Sequence, residues 1–457
     1  MIGNRAPEGG IDLRWIVAGV LPLCALFVAW ATRVSANSGI RGLGVAAAGL
    51  VAPIALGIAF VRPLLFPYGL YAAFIPFDAF AQLSPGSVTV TRIIGLFAGA
   101  ALLIHAIRTR RFVAPPAALW WLAALLAWVL FSVLWSSDPL NAPVEAVMIL
   151  QIAVLYTIVA VYGTRATDIS VICNAIILGG VASAFLGIYE FHHQSIAQAS
   201  YVQNFARLNI QVGDERVDPN LYSDALILPF GIMAARWLTS RDFVRSLIPL
   251  ATLLLFIVAI DIAASREAMI ALGLEMIALA IILRAWRRLI PLALAAIAGL
   301  AAIPNVVVRA LQDQGNGGSG RTSIWRVGWE AFRQHPLIGS GSGSFADVYD
   351  QWYLRVFQPY EAGWHRASHD IILHFGVEFG IIGLILVGGC WLAQWRVARE
   401  IPQGCGFDDL RAALLATIVA LAFVSLVVDA FDTKFLWLAF ALIAQLRAAT
   451  LGFRVAQ

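Results

Sequence analysis

Long apolar blocks separated by short polar connectors dominate this sequence of 457 residues. A helix needs about 20 apolar residues to cross the hydrocarbon core of a bilayer, and only helices or closed barrels satisfy their backbone there. Strands of a membrane barrel alternate apolar and polar residues, and these blocks do not alternate. Hydrophobic residues make up 60% of the chain and charged residues 13%, which excludes a soluble globular protein. The sequence therefore predicts an all-α, polytopic helical membrane protein.

The apolar blocks predict 12 to 14 transmembrane helices. Fourteen can be drawn, but the proline-interrupted region 43–80 could instead hold one span and a re-entrant segment. The predicted spans are 13–32, 43–61, 63–80, 91–107, 117–135, 144–162, 169–189, 220–238, 246–263, 267–284, 288–306, 370–395, 411–429 and 431–448. Around one long polar segment, the chain divides into N-terminal transmembrane helices (1–306), the polar segment itself (307–369) and C-terminal transmembrane helices (370–457).

Arginines in the short loops predict the orientation of the spans, because cytoplasmic loops are enriched in Lys and Arg. Alternating the spans places four arginine-rich loops on one side, together with both termini: 108–111, 236–245, 284–288 and 396–411. That side is predicted to be the cytoplasm. The net charge of +4 reflects this topology, and we expect no nucleic-acid partner.

Many arginines nevertheless fall on the other side, against the usual trend. They are Arg92, Arg207, Arg216, Arg266, Arg309, Arg321, Arg326, Arg333, Arg355 and Arg366. Of the 31 basic residues, only Lys434 is a lysine, and arginine is the better bidentate partner for phosphate oxygens. An anionic ligand at the outer membrane face is the simplest reason for so many cations there.

Ser265-Arg266 lies where one predicted span ends and the next begins. An ionisable residue this close to the hydrocarbon is costly and is a candidate functional residue. The alternative is an interfacial arginine that snorkels to the membrane surface and pairs with Glu267 or Asp261.

Asp218-Pro219-Asn220 precedes the predicted span 220–238. Asp or Asn at this point caps the free amide groups of a helix, and Pro fits the first turn. Alternatively, Asp218 and Asn220 orient a sugar or an arginine.

The segment that begins with Gly320-Arg321 predicts an amphipathic helix at the membrane interface. No Gly-Lys-Ser/Thr follows the glycines and no strand precedes them, so a nucleotide-binding loop is rejected. The apolar positions after Thr322 are Ile324, Trp325, Val327, Gly328, Ala331 and Phe332.

His369 lies just before a long predicted span, and histidine is suited to take a proton near neutral pH. The competing interpretation is an interfacial histidine with no chemical role. His369, His374 and Glu378 resemble a metal-binding spacing only loosely. No Asp-x-Asp pair occurs in the predicted external loops, so we expect metal-independent chemistry and no cofactor.

Taken in order, these motifs resemble the O-antigen ligase and Wzy-type O-antigen polymerase superfamily over roughly residues 90–450. The series is Asp218-Pro219-Asn220, Ser265-Arg266, Gly320-Arg321 with Ile324-Trp325, Pro336 to Phe345, Ser368-His369-Asp370, and Glu378 with Gly380 and Gly383. The family commonly has Asn after the His, where this chain has Asp370.

The resemblance implies a GT-C-like glycosyltransferase of the bacterial inner membrane, with its active site facing the periplasm. The implied donor is a glycan on undecaprenyl diphosphate, held among membrane lipids. The implied acceptor is lipid A-core for a ligase or another lipid-linked glycan for a polymerase. By motif matching, Arg266 and Arg321 are the essential periplasmic arginines and His369 is the essential histidine.

These expectations combine into one hypothesis, an inverting transfer in which Arg266 and Arg321 neutralise the diphosphate and His369 readies the acceptor. Further substrate-binding residues are predicted at Arg92, Arg207, Asp218, Asn220, Trp325 and Arg326. The aromatic residues of the polar segment could equally stack against sugars or anchor the protein at the interface. A membrane solute transporter remains the alternative function, and ligase and polymerase are not separated.

Overall fold

The computed structural model describes residues 58–59, 61–84, 88–194, 207–212, 215–290, 294, 321–356 and 363–455. The predicted span 13–32 and nearly all of the predicted spans 43–61 and 288–306 lie outside these residues. Arg309 and the glycine-rich run before Arg321 also lie outside them.

Helices make up most of the described chain, which confirms the helical prediction. They are α1 (Tyr68–Phe74), α2 (Val90–Thr109), α3 (Ala118–Ser132), α4 (Ala142–Val161), α5 (Ala166–His193), α6 (Pro219–Asp224), α7 (Ile227–Thr239), α8 (Phe243–Ile262), α9 (Arg266–Leu283), α10 (Arg321–Gln334), α11 (Phe345–Tyr353), α12 (Ile371–Glu400), α13 (Asp408–Ser425) and α14 (Lys434–Val455). Two short antiparallel hairpins are also present: β1 (Gln82–Ser84) pairs with β2 (Val88–Thr89), and β3 (Ile210–Val212) with β4 (Glu215–Val217).

Six helices in the described part are long and apolar enough to cross a membrane. They are α2, α3 with the turn that extends it to Trp135, α4, α5, α8 and α12. The chain is therefore a polytopic helical membrane protein, while the total of 12 to 14 spans stays a prediction.

Two predicted spans take a different form in the structure. Over 63–80, the apolar helical segment is only Tyr68–Phe77, which is too short to cross a bilayer and is buried in the protein. Prolines at 63, 67 and 76 explain this, because proline removes a backbone donor and breaks a helix. A short buried helix therefore stands in place of the predicted span 63–80, while most of 43–61 lies outside the described residues. The predicted span 220–238 is divided into α6 and α7.

The predicted external segments meet at one end of the helix bundle, which we call the outer end. The end of α3 contacts the loop after α10, where Ser137 N–H donates to Ser340 C=O over 3.0 Å. At the opposite end lie the predicted cytoplasmic loops, where Gly163 N–H donates to Arg111 C=O over 3.0 Å. Arg447 of α14 pairs with Glu400 at the end of α12 over 3.2 Å. The alternation predicted from the arginines therefore matches the arrangement of the helices.

Helix α9, which carries the Ser265-Arg266 motif at its start, is packed tightly against α7 and α13. Glu275 of α9 is fully buried and accepts a hydrogen bond of 2.6 Å from Thr417 of α13. A Cβ atom on Gly231 of α7 would lie 2.1 Å from the Glu275 carboxylate. Small residues let membrane helices approach this closely, so the start of α9 is held in a rigid part of the bundle.

Helix α12 is interrupted at Gly380, which has φ 68° and ψ −164°. The interruption leaves backbone groups without helical partners, and buried backbone groups need partners. The loop after α10 supplies them: Ile381 N–H donates to Pro336 C=O, and Gly341 N–H donates to Glu378 C=O, each over 2.8 Å. The loop and the broken helix therefore form one hydrogen-bonded unit.

Glycines in this loop permit the close approach of the two backbones. Gly339 and Gly341 both have positive φ, a conformation that side chains rarely adopt. A Cβ atom at Gly339 would lie 2.3 Å from the backbone carbonyl of Glu378, and one at Gly341 would lie 2.3 Å from Ser136 Cα. The glycine-rich motif after Pro336 is thus explained by packing and backbone conformation.

We expect Gly339→Ala to lower the thermal unfolding midpoint of the purified protein in detergent. The left-handed conformation alone costs about 1–2 kcal/mol for a residue with a Cβ atom, and the clash with Glu378 adds to it. Gly388→Ala is the matched control in α12, where a Cβ meets nothing within 4 Å. It should leave the midpoint unchanged or raise it, since Ala favours a helix over Gly by about 1 kcal/mol. Equal midpoints for the two variants would contradict the interlocked loop.

Candidate functional site

Three arginines from separate parts of the chain gather around Glu267 at the outer end. The guanidinium of Arg321 lies 3.7 Å from the Glu267 carboxylate, whose side chain is only 5% exposed. Arg266 precedes Glu267 in the first turn of α9. Arg207 is near enough for the charges of Glu267 and Arg266 to act on it. The structure thus brings Arg321 close to the first turn of α9, which carries Arg266.

Local backbone geometry aims the start of α9 at this cluster. Ala264 adopts a left-handed conformation with φ 50°, which turns the chain sharply between α8 and α9. The Ser265 hydroxyl then caps α9 by accepting the Ala268 N–H over 3.4 Å. Arg266 and Glu267 are the next two residues, so the turn at Ala264 and the Ser265 cap set their positions.

Arg207 is held by three acceptors, and its side chain is 14% exposed. Its Nε donates to Ala263 C=O over 2.8 Å, and its Nη2 donates to Asn220 Oδ1 over 2.6 Å. Asp218 adds an ion pair at 3.4 Å. Burial lowers the pKa of Arg207, and the nearby Asp218 and Glu267 carboxylates oppose that change.

Asp218 combines the two interpretations that the sequence left open. Its Oδ1 accepts the Asn220 N–H over 3.0 Å and so caps α6. The same carboxylate pairs with Arg207, while Asn220 accepts a hydrogen bond from that arginine. The motif therefore both begins a helix and orients an arginine.

Arg321 is the first described residue of α10, which is the amphipathic helix that the sequence predicts. The face of α10 that packs inward consists of Ser323, Ile324, Val327, Gly328 and Ala331. Trp325 and Arg326 are exposed, so these two predicted substrate-binding residues lie away from the buried face. Trp325 instead lines a separate groove of 280 Å³ that also touches Asp370.

His369 has φ 50°, a left-handed conformation that is uncommon for a residue with a side chain. The next residue explains how it is held. Asp370 Oδ1 accepts the Leu373 N–H over 2.8 Å and caps α12. An asparagine oxygen makes the same kind of cap, so this helix start is compatible with either Asp or Asn at position 370.

The surroundings of His369 favour its neutral form. Burial lowers the pKa of His369 below 6.5, and the positive charges of Arg321 and Arg366 lower it further. The negative charges of Asp218 and Glu267 oppose this shift without reversing it. A neutral imidazole near pH 7 can accept a proton, which is the role required of a general base.

A groove of about 650 Å³ runs along the bundle and is lined at one end by His369 and by Asp218, the partner of Arg207. His369, Asp218 and Arg92 lie at its polar end, and Arg92 Nε donates to Gln151 Oε1 over 3.1 Å. Its walls are apolar and come mainly from α2 and α4: Gly95, Leu96, Gly99, Ala100, Ile152, Leu155 and Ile158. Leu96 is 59% exposed, so the groove opens to the lipid-facing side of α2. Such a shape suits an amphipathic molecule with a long hydrocarbon chain.

Lys434 also lines the groove and is not among the site residues that the sequence predicts. Its Nζ lies 2.5 Å from Asp78 Oδ2 and donates to Thr89 Oγ1 over 2.5 Å. The partners are 356 and 345 residues away in the chain, so no local spacing reveals them. The available signal was that the chain's single lysine falls on the side with the unusual arginines.

Part of the chain is similar to a known protein family. Residues 251–388 match the family model described as O-antigen ligase. The matched segment contains Arg266, Arg321 and His369, whereas Arg207 and Lys434 lie outside it. No curated protein matches the chain.

We expect Arg366→Gln to raise the pKa of His369, because it removes a positive charge that disfavours the imidazolium. The measurement is the pH dependence of His369 acylation by diethyl pyrocarbonate, followed by mass spectrometry. Since the reagent attacks the neutral ring, the midpoint of the profile should move to higher pH. Arg355→Gln is the control, because that guanidinium lies over the Trp352 ring at 5.1 Å. A midpoint that is unmoved in Arg366→Gln would contradict this electrostatic description.

Proposed function

We propose that this chain, as a member of the O-antigen ligase superfamily, is a glycosyltransferase of the bacterial inner membrane. It transfers a glycan from undecaprenyl diphosphate to a sugar hydroxyl at the periplasmic face. The acceptor is lipid A-core or a second lipid-linked glycan. One observation carries the proposal: His369, whose pKa is lowered by burial and by the nearby Arg321, lies at the polar end of an apolar groove.

The groove and the arginine cluster contact different parts of the donor. The polyprenyl tail lies along the apolar walls of α2 and α4, and the diphosphate lies at the polar end. Asp218 lines the groove and pairs with Arg207. His369 also lines the groove, and the positive charge of Arg321 lowers its pKa. The arginine cluster therefore adjoins the place where the diphosphate would lie. Arginine suits this ligand because it binds phosphate oxygens in a bidentate manner.

The chemical step proceeds by direct displacement at the anomeric carbon. The acceptor oxygen forms the new glycosidic bond and gives its proton to the neutral His369. The bond between the anomeric carbon and the phosphate oxygen breaks, and the electron pair leaves with undecaprenyl diphosphate. Attack from the face opposite the leaving group inverts the configuration.

Arg266 and Arg321 stabilise the negative charge that grows on the leaving diphosphate. One prearranged donor at such a position contributes about 3–4 kcal/mol. Glu267, buried beside both, keeps the Arg321 guanidinium in place through their 3.7 Å ion pair. Because arginines supply the positive charge, the transfer itself needs no metal ion in contact with the diphosphate. The family match gives no support to the alternative of a solute transporter.

We expect Arg321→Ala and His369→Ala to abolish most transfer while the protein still folds. The losses should be roughly 10²–10³-fold for the arginine and roughly 10²–10⁴-fold for the histidine. The assay uses purified protein, an undecaprenyl-diphosphate-linked glycan and either lipid A-core or a second lipid-linked glycan. The acceptor that is consumed identifies the chain as a ligase or a polymerase.

Each variant has a matched control. Arg333→Ala removes an exposed arginine of the same helix, α10, which pairs only with the neighbouring Glu330 in the described residues. His365→Ala removes an exposed histidine with a similar left-handed backbone, φ 53°. Both controls should keep activity close to that of the wild type. Full activity in His369→Ala, or no transfer by the wild type to either acceptor, would refute the proposal.

We expect Ala100→Trp to slow transfer from a donor with a full-length polyprenyl tail, because the indole would occupy the apolar groove. A donor with a short isoprenoid tail should be affected much less. Leu103→Trp is the control on the same helix, since Leu103 is exposed but does not line the groove. The measurement is the transfer rate of each variant with the long-tailed donor, compared with its rate with the short-tailed donor. An equal loss with both donors would show that the groove does not hold the tail.

A further inference from the structure

A second cluster of ionisable side chains lies at the outer end, apart from the arginines and His369. Glu145 from the first turn of α4 meets His374 and Glu378 from the first turns of α12. We propose that these three side chains bind a divalent transition-metal ion, with zinc the best-matched ion. The sequence had grouped His374 and Glu378 with His369, but the structure replaces His369 with Glu145. The proposal does not depend on the glycosyltransferase function.

The distances among the three side chains fit a coordination sphere. His374 Nε2 lies 3.2 Å from Glu145 Oε1 and 3.2 Å from Glu378 Oε2. All three candidate ligand atoms lie within 4.8 Å of one another. Ligand atoms that each lie 2.0–2.2 Å from a tetrahedral zinc ion are separated by about 3.3–3.5 Å. The observed separations are therefore close to those of atoms that share one ion.

Two of the ligand atoms lack hydrogen bonds. His374 Nε2 and Glu145 Oε1 are buried, and neither forms a hydrogen bond, although they are only 3.2 Å apart. When His374 is protonated, the two side chains can pair only as ions at this distance. A buried polar atom without a partner costs about 1–3 kcal/mol. An ion between them satisfies both atoms at once.

Asp429 orients the histidine in the manner expected of a metal ligand. Its carboxylate contacts the Nδ1 of His374 from the turn between α13 and α14. With the proton on Nδ1 donated to Asp429, Nε2 carries a lone pair directed at the two glutamates. Ligating histidines almost always donate their other ring N–H to a carboxylate, carbonyl or water.

Glu378 is fixed equally well. Its Oε2 accepts the Gly343 N–H over 2.9 Å, and its Oε1 accepts the Phe345 N–H over 2.8 Å. Its side chain is only 2% exposed. The second lone pair of Oε2 remains for an ion. Carboxylate ligands in metal sites are commonly held by such outer hydrogen bonds.

The charge and the space around the cluster support a divalent ion. Three largely buried carboxylates, on Glu145, Glu378 and Asp429, surround one imidazole, and buried charge must be compensated. A cavity of about 210 Å³ adjoins Glu145, His374 and Asp429 and gives room for a water ligand. One imidazole with two carboxylates suits zinc, whereas magnesium and calcium prefer oxygen ligands alone. Such an ion would tie α4 to the start of α12 and stabilise the fold.

The experiment measures zinc binding to the purified full chain in detergent. The protein is treated with EDTA, dialysed and titrated with Zn²⁺ by calorimetry, and bound zinc is counted by mass spectrometry. We expect one zinc ion per chain and a higher thermal unfolding midpoint in its presence. An excess of Mg²⁺ should not displace it.

Variants test the ligand set without relying on activity. Glu145→Gln keeps the shape of the side chain and should lower zinc affinity at least 100-fold. Asp429→Asn should lower it roughly 10–100-fold, the usual effect of removing an outer partner. Glu330→Gln, which changes a half-buried glutamate on α10 outside the cluster, is the control and should bind zinc like the wild type. If the wild type binds no zinc, or Glu145→Gln binds it equally well, the cluster is a salt-bridge network of a protonated His374 and the proposal fails.

Discussion

The backbone pairing between the broken helix α12 and the loop after α10 is the constraint on which the site depends. Helix α10 begins at Arg321, and α12 begins two residues after His369. The loop that holds these two helices together therefore also helps to position Arg321 relative to His369. Residues Gly380 and Gly339 allow the two backbones to touch, and the Ile381 to Pro336 hydrogen bond closes the joint. Backbone contacts of this kind are insensitive to side-chain rotation. A site that must hold charged groups in fixed positions benefits from such a support.

At the outer end, acidic and amide side chains hold the guanidinium groups in place. Glu267 is almost completely buried beside Arg321, and Arg207 is enclosed by Asp218 and Asn220. Buried ion pairs contribute little net stability, because removing charges from water costs about as much as the pairing returns. Their value here is geometric: each guanidinium is fixed before any ligand arrives. Prearranged cations do not have to reorganise during a reaction, and this makes electrostatic stabilisation effective.

Much of the fold follows from the apolar blocks, whereas part of the site does not. The helices α2, α4, α5 and α12 appear where the hydropathy predicts them, and Arg266, Arg321 and His369 come from motifs that the sequence shows directly. The short helix before Asp78 departs from the prediction because prolines override apolar composition. The contacts of Lys434 with Asp78, and of His374 with Glu145, join segments that are distant in the chain. Their pairing depends on how helices pack, which a single sequence does not encode in any local pattern.

Helix direction gives the cluster a further source of positive potential. Arg92, Arg266 and Lys434 all lie in the first turn of a helix, and His369 directly precedes another, because each of these helices runs inward from the outer end. The free N–H groups at a helix start carry a partial positive charge equivalent to about half a unit. Several such ends therefore face the region where the arginines gather, and anions bind readily at helix starts. The topology that the arginine-rich loops predict thus also determines which ends of the helices lie near the arginine cluster.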